Sequence, residues 1–429
     1  LNVLIVNTHS ALNSGDLAIT IAEVQLLRRC LPIQRIAVTS RTPQIDARVL
    51  APMGVSVLPP LVPAPSVFGE GVQKISGTIR NMAGIGSKRD LWRTARASDL
   101  IISSGGGYFW SNRTVFPGPM FFQNYLHVRL AGVLRKPIVF FPQSFGPLYA
   151  PLVTRMLRAA LSDPNVVRVF SREQISVDFL RRLLQDRPTV DRIALCPDAA
   201  FCLEARADVT PLAAVSSLPR PVVAVTVRPW DFPDAGSRSE RKGQHYAYLT
   251  GLVTACRNLH ERWHGSVLVF PQSRGPGSFE DDTVLSRTFC SMLRDEMPGG
   301  TVLLLPLSAA ERPEAIIGIM SCVDLLIATR FHSAIFAFLA GTPAIAVSYQ
   351  PKGKGIMQEL GLARFAVDIS AVDSEQITAL GNEILENHHD YSSLVRDAVD
   401  RLRKTAVDCL SDALIGYERV RHNEGPARQ

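Results

Sequence analysis

The sequence predicts an α/β fold: two Rossmann-like, doubly wound domains facing across a cleft. Short apolar runs of strand length alternate with segments of helical apolar spacing. Run after run ends in glycine or polar residues, and a parallel sheet gathers its ligands beyond the carboxyl ends of its strands. The two halves echo each other: Phe141-Pro-Gln-Ser-Phe-Gly-Pro returns as Phe270-Pro-Gln-Ser-Arg-Gly-Pro, and Asp99-Leu-Ile-Ile as Asp324-Leu-Leu-Ile. A chain of 429 residues also exceeds one ordinary core.

Val3–Val6 reads as the first strand, followed by a polar turn over 7–16 and a helix over Leu17–Arg29. Ile36–Ser40 and Val55–Leu58 are the next strands. Residues 59–98 are proline- and glycine-rich and end in a basic helix. They read as a solvated surface excursion or, alternatively, as a flap that meets a lipid-linked anionic acceptor. Asp99–Ser104 ends in Gly105-Gly-Gly-Tyr-Phe-Trp, where glycines let a ligand approach the backbone. Strands Pro137–Phe141, Val167–Phe170 and Ile193–Cys196 follow, each with a polar tip. Residues 1–204 make the first domain and 205–220, rich in Ala, Ser and Pro, the linker.

The second domain, 221–372, repeats the alternation. Its strands are Val222–Val227, Val267–Phe270, Val302–Leu305, the run Asp324-Leu-Leu-Ile, and Ala344–Ser348. Tyr246–Trp263 and Pro313–Ser321 read as helices, and Tyr349–Gly355 as a loop. Residues 373–429 read mainly as helix that packs back on the first domain.

Composition narrows the function. Hydrophobic content of 46% with 20% charged residues fits a globular chain, and no apolar run is long enough to span a bilayer. The opening Leu1-Asn-Val-Leu-Ile-Val is strand-like, without the basic region or cleavage site of a secretory leader, so a cytoplasmic location is expected. The seven cysteines show no metal-ligand spacing and read as reduced thiols. A formal charge of +7 suits anionic substrates or an anionic membrane surface; nucleic-acid motifs are missing. Walker A, G-x-G-x-x-G, G-x-S-x-G and H-E-x-x-H signatures are missing too, so neither a dinucleotide cofactor nor a metal is expected. Glu280-Asp-Asp reads as a solvated turn or, alternatively, a metal-binding cluster.

Ala328-Thr-Arg-Phe-His-Ser lies between a buried strand and a buried helix. That turn offers unpaired N–H groups to an anion, with Arg330, His332 and Ser333 beside them. The alternative is a structural helix cap, with Arg330 paired to a carboxylate and His332 packed in the core. Arg228 and Lys352 sit at further strand tips of this half, and together the four cationic side chains suit a strongly anionic ligand. The first half supplies Asn13, Asp16, Gly106, Tyr108, Gln143, Ser144, Arg172 and Asp198, a set suited to a polyhydroxylated ligand. Singly, each reads as a cap or turn residue.

Laid out in order, these pieces resemble the bacterial polysaccharide pyruvyl transferases of colanic-acid and related exopolysaccharide pathways. The carriers are Asn13-Ser-Gly-Asp-Leu-Ala-Ile, Gly106-Gly-Tyr-Phe, Gln143-Ser-Phe-Gly-Pro, Ser171-Arg-Glu-Gln-Ile-Ser, Pro197-Asp-Ala-Ala-Phe, Val227-Arg-Pro, Thr329-Arg-Phe-His-Ser-Ala-Ile, and Gly341-Thr-Pro-Ala-Ile-Ala-Val-Ser-Tyr-Gln-Pro-Lys. Residues 45–98 and the C-terminal tail match weakly. The resemblance implies a GT-B-like fold, phosphoenolpyruvate as co-substrate and a pyruvate ketal on two sugar hydroxyls as product. It places the donor against Arg330 and His332, with Arg228, Ser333 and Lys352 as further donor contacts and the first domain on the acceptor side. His332 then serves as general acid or orients the phosphate, and Asp16 or Asp198 as base. A lipid-linked acceptor would bring the protein to the inner face of the cytoplasmic membrane. Two other readings stand beside this one: a GT-B glycosyltransferase or nucleotide-sugar epimerase, and a non-catalytic scaffold in envelope-polymer assembly.

Overall fold

The computed structural model describes residues 1–62, 89–111, 117–204, 213–306, 308, 311–349 and 351–423. The chain divides into two compact units. One comprises Leu1–Ala11, Asp16–Glu204 and the stretch from Arg403; the other comprises Leu12–Gly15 and Ala205–Leu402.

The first unit is built on β1 (Asn2–Val6), β2 (Arg35–Thr39), β3 (Val55–Leu58), β4 (Leu100–Ser103), β5 (Gly106–Phe109), β6 (Ile138–Phe145), β7 (Val166–Ser171) and β8 (Ile193–Leu195). Their order is β3-β2-β1-β4-β6-β7-β8, with β5 paired to β6. All of these pairings are parallel. Val3–Val6, β4 and β6 are buried throughout, as strands covered on both faces must be. Leu4, Ile101 and Phe140 from the sheet pack with Leu157 of helix Pro151–Leu161 and Leu180 of helix Gln174–Leu183.

The second unit holds β9 (Val222–Thr226), β10 (Ser266–Val269), β11 (Val302–Leu304), β12 (Leu325–Ala328), β13 (Ala344–Ser348) and β14 (Ala366–Asp368). The order is β11-β10-β9-β12-β13-β14, again parallel. Strand order reverses between β1 and β4 in one sheet and between β9 and β12 in the other. The crevice outside such a reversal is where doubly wound sheets bind ligands. Helix Phe331–Leu339, with Ser333–Phe338 all buried, follows β12 directly.

Several elements depart from the sequence expectation. Gly106–Phe109 forms a strand, and β6 runs on through Gln143 and Ser144 to Phe145 over a register shift. The helix expected from Tyr246 begins at Arg238, where the Ser237 hydroxyl accepts from the Glu240 N–H at 3.1 Å. The expected loop after β13 is instead helix Pro351–Glu359. Proline suits its first turn, and burial of Ile356, Met357 and Leu360 overrides the two glycines. Of the 59–98 excursion, helix Arg89–Ala97 buries Leu91 and Ala95 rather than being solvated all round; residues 63–88 lie outside the described residues, as do 205–212 of the expected linker. Among the described residues, no helix is long and apolar enough to cross a membrane.

Candidate active site

At the reversal of the second sheet, β9 and β12 are tied tip to tip. The Thr329 N–H donates to Thr226 Oγ1 at 2.9 Å, and the Thr329 hydroxyl donates to the Thr226 carbonyl at 2.7 Å. This brings the residues that follow, Arg228 and Arg330, to one place in the fold. They have different partners. Arg330, 7% exposed, donates through Nε and Nη2 to fully buried Asp282, with Nη2–Oδ1 at 2.6 Å, and through Nη2 to the Glu280 carbonyl at 3.0 Å. Burial works against its charge, but Asp282 outweighs burial and the guanidinium's pKa rises. The acidic turn read as solvated therefore contains the buried carboxylate that holds Arg330.

Arg228 is half-buried and rests on aromatic rings. Its guanidinium carbon lies 3.9 Å from the Tyr349 centroid and 5.2 Å from that of Trp230. Its N–H donates to the Tyr248 hydroxyl at 3.2 Å. Among the described residues no carboxylate forms an ion pair with it. Burial, reinforced by Arg330, lowers its pKa against the pull of Tyr349 and Asp282.

Arg330 has extended backbone and caps helix Phe331–Leu339 without a side-chain cap bond. The Ser333 hydroxyl donates to Gln272 Oε1. The Ser14 hydroxyl donates to the Gln272 carbonyl at 2.9 Å, and the Gly15 N–H to Asn13 Oδ1 at 3.0 Å. A Cβ added to Gly15 would stand 2.4 Å from His332 Cγ, so only glycine admits the imidazole there. Asn13, expected among the acceptor residues of the first domain, thus packs within the second unit beside His332 and Ser333. Lys352 falls in the first turn of Pro351–Glu359, and its side chain lies outside the description.

The first unit gathers the other expected residues into two groups. The Tyr108 hydroxyl donates to Asp16 Oδ1, His9 Nδ1 lies 3.3 Å from Asp16 Oδ2, and the His9 and Tyr108 rings stack with centroids 5.3 Å apart. Gly106, at φ 132°, makes room for the Tyr108 ring, which a Cβ would meet at 2.4 Å. Further along the sheet, Arg172 donates to Asp198 at 2.5 Å and to the Ser144 hydroxyl at 2.8 Å, and Ser144 donates to Glu173 at 2.9 Å. Burial opposes the Arg172 charge, yet Asp198 and Glu173 raise its pKa. Gln143 donates to the Ser103 carbonyl and hydroxyl at 2.9 and 2.8 Å. Below them, Glu23 is wholly buried and accepts from the Gly105 N–H at 2.7 Å; burial pushes its pKa up to about 8.

Sequence reading did not single out His9, Glu23, Gln272, Trp230 or Tyr349, and took Asp282 only as part of the Glu280-Asp-Asp turn. Gln272 alone carried a signal, since the repeated Pro-Gln-Ser motif equates it with Gln143. Among the described residues, no three His, Cys, Asp or Glu side chains converge as metal ligands.

The chain is 25% identical over 351 residues to the amylovoran biosynthesis protein AmsJ of Erwinia amylovora, covering 79% of this chain and 78% of AmsJ. Among solved structures, HepE of Anabaena in complex with UDP-glucose is similar with a TM-score of 0.57 and 13% identity, covering 97% of this chain and 99% of HepE. UDP-GlcNAc 2-epimerase of Neisseria meningitidis bound to UDP-GlcNAc gives 0.58 and 12%, covering 97% of this chain and 100% of the epimerase. At such identities the likeness is one of fold: GT-B-like, from two Rossmann-like domains. The family model for polysaccharide pyruvyl transferase matches residues 13–351, most of the chain. Fold and match together make this a sugar-modifying enzyme of GT-B-like fold that belongs to the polysaccharide pyruvyl transferase family.

Proposed function

We propose that the protein transfers pyruvate from phosphoenolpyruvate to two hydroxyls of a sugar in a cell-surface polysaccharide or its lipid-linked precursor. The product is a cyclic ketal, and phosphate is released. Arg228 carries the donor half of this reading: a buried-side guanidinium with aromatic neighbours and no ion-paired carboxylate among the described residues. A bound carboxylate or phosphate would favour its charged form, which burial disfavours. Arg330 is already matched by Asp282, so its part is to hold the turn that presents His332 and the helix N-terminus. Donor anchoring thereby passes from Arg330 to Arg228, with Lys352 and Ser333 as further contacts.

In the chemistry proposed, His332 gives a proton to the methylene carbon of the donor, and the central carbon becomes electrophilic. One sugar hydroxyl adds, phosphate leaves, and the second hydroxyl closes the ring. Gly15 keeps the imidazole in one orientation by leaving it a tight seat. Asp16, held by Tyr108 and His9, takes the proton of the first hydroxyl, and the proton of the second returns to His332. The acceptor is assigned to the first domain's strand tips, and the reaction to the cytoplasm, at the inner membrane face if the acceptor is lipid-linked.

A second reading is supported by the fold neighbours solved with UDP-sugars: a nucleotide-sugar enzyme with the diphosphate at the same helix terminus. Calorimetry with phosphoenolpyruvate and a UDP-sugar panel, on native protein and on Arg228→Ala, separates the two. Phosphoenolpyruvate binding that weakens in the variant is the expected result. UDP-sugar binding without phosphoenolpyruvate binding would establish the second reading, and a fully active His332→Ala would remove the proposed acid.

A further inference from the structure

The second unit holds a cavity of about 780 Å³ that the reaction above leaves unused. It is formed by the segment that follows β9 and by the first turns of helix Arg238–Trp263. Trp230, Tyr246 and Leu249 give it an apolar wall, and Arg238, Arg241 and Lys242 give it charge. Arg228 is not among its lining residues. Trp230 nevertheless serves both places, since its ring centroid lies 5.2 Å from the Arg228 guanidinium carbon. Buried Phe232 ties the segment to the helix: its ring packs against those of His245 and Tyr248, with centroids 6.3 and 6.4 Å away.

The charge of this cavity is one-sided. Its three cations meet a single lining carboxylate, Asp231, which accepts from Arg241 Nη1 at 3.2 Å. Arg241 Nε, closed off from solvent, has no acceptor among the described residues. Arg238 and Lys242 form no ion pair among those residues. The nearby Glu240 carboxylate is engaged by the Gly236 N–H at 2.8 Å, which closes the entry to the helix. Burial lowers the His245 pKa against a bond with the Trp230 backbone, so this lining imidazole is neutral at pH 7. Two cations thus stay unmatched by the lining, beside an apolar wall. Phosphate oxygens suit such cations, and an apolar chain suits such a wall.

We propose that this cavity is a second binding site, for an amphiphile with a diphosphate head and an apolar tail, as in an isoprenoid diphosphate. Arg238, Arg241 and Lys242 hold the phosphate oxygens. Trp230, Tyr246 and Leu249 take the first carbons of the tail. Tyr246 is 67% exposed, so the apolar wall reaches solvent and a tail longer than the cavity can leave along it. Binding here needs neither pyruvyl transfer nor Arg228. Where the acceptor is lipid-linked, as in the proposed reaction, its carrier is what the cavity holds.

The test is calorimetry on the full chain with farnesyl diphosphate, pyrophosphate and farnesol as probes. Farnesyl diphosphate should bind about tenfold more tightly than pyrophosphate, the worth of a couple of buried methylenes, and farnesol should not bind. The double variant Arg238→Ala/Lys242→Ala should weaken farnesyl diphosphate binding by about tenfold or more. Tyr246→Ser should weaken farnesyl diphosphate and leave pyrophosphate as it was. All three side chains are exposed, so these variants keep the fold. Absence of farnesyl diphosphate binding to the native protein, or binding that the double variant leaves unchanged, would overturn the proposal. So would equal affinity for the two diphosphates, which marks a site for free phosphate. Loss of farnesyl diphosphate binding in Arg228→Ala would assign it to the donor site instead. Phosphoenolpyruvate binding, titrated separately, can hold or fail without moving any of these outcomes.

Discussion

Arg172 and Arg228 look alike in the sequence: one arginine each, just past a strand of a parallel sheet. The structure gives them opposite surroundings. Arg172 is enclosed by Asp198, Glu173 and Ser144, and its charge is complete within the protein. Arg228 lies on Tyr349 and Trp230, which cushion a cation without neutralising it. The first cation is matched by carboxylates; the second has no ion-paired carboxylate among the described residues, which is why the proposed donor site is built on it. Position at a strand tip does not separate the two roles, but the carboxylates around each arginine do.

The widest gap should appear on removing Arg172. Arg172→Ala leaves Asp198 and Glu173 buried without their cation, and unfolding of the first unit in denaturant should shift by about 3–5 kcal/mol. A stable Arg172→Ala enzyme that cannot turn over would instead make Arg172 an acceptor contact. Arg228→Ala should do the reverse. Phosphoenolpyruvate affinity should fall by about 1.5–3 kcal/mol in calorimetry, the worth of hydrogen bonds to a charged group, with the melting midpoint nearly unchanged. A melting midpoint that drops while affinity holds would collapse the distinction.

The third comparison uses glycines rather than arginines. Gly15→Ala puts a carbon 2.4 Å from His332 Cγ and must displace the ring. We expect kcat to fall about tenfold, about 1.4 kcal/mol in the barrier, with phosphoenolpyruvate affinity held. The last effect is a slope in pH. Burial raises the Glu23 pKa from 4.5 to about 8, so the folded state holds a proton that the unfolded state releases over that interval. Stability is unaffected by Glu23 below pH 4.5 and falls as pH rises toward 8, by at most about 1.4 kcal/mol per pH unit. Glu23→Gln should flatten that slope in denaturant titrations run across the range.

Much of this was legible in the chain because it is local. Strand and helix alternate with clear apolar periods, and the turn bearing Arg330 and His332 is announced by a buried strand before it and small, apolar residues after it. The repeated Pro-Gln-Ser-x-Gly-Pro carries through to the backbone: Gly146 and Gly275 both hold positive φ, at 80° and 127°, before cis prolines. What stayed hidden is pairing across the fold. Nothing near Arg330 announces Asp282, and nothing near Asn13 announces Gln272, because partners far apart in sequence leave no periodic trace. Tyr349 to Gly355 misled for the opposite reason: local glycines point to a loop, and tertiary burial of Ile356 and Met357 decides for helix.

The division of the chain into units has one more consequence. The second unit includes Leu12–Gly15, and the first takes up the chain again from Arg403. Neither unit is therefore a linear piece of the gene. A fragment cut after Glu204 would leave the second unit without the strip that seats its histidine, and the first without the part of helix His388–Asn423 that runs from Arg403. Shuffling halves between relatives should fail unless those two borrowed segments travel with their hosts, so this scaffold is expected to diversify by substitution rather than by exchange of whole units.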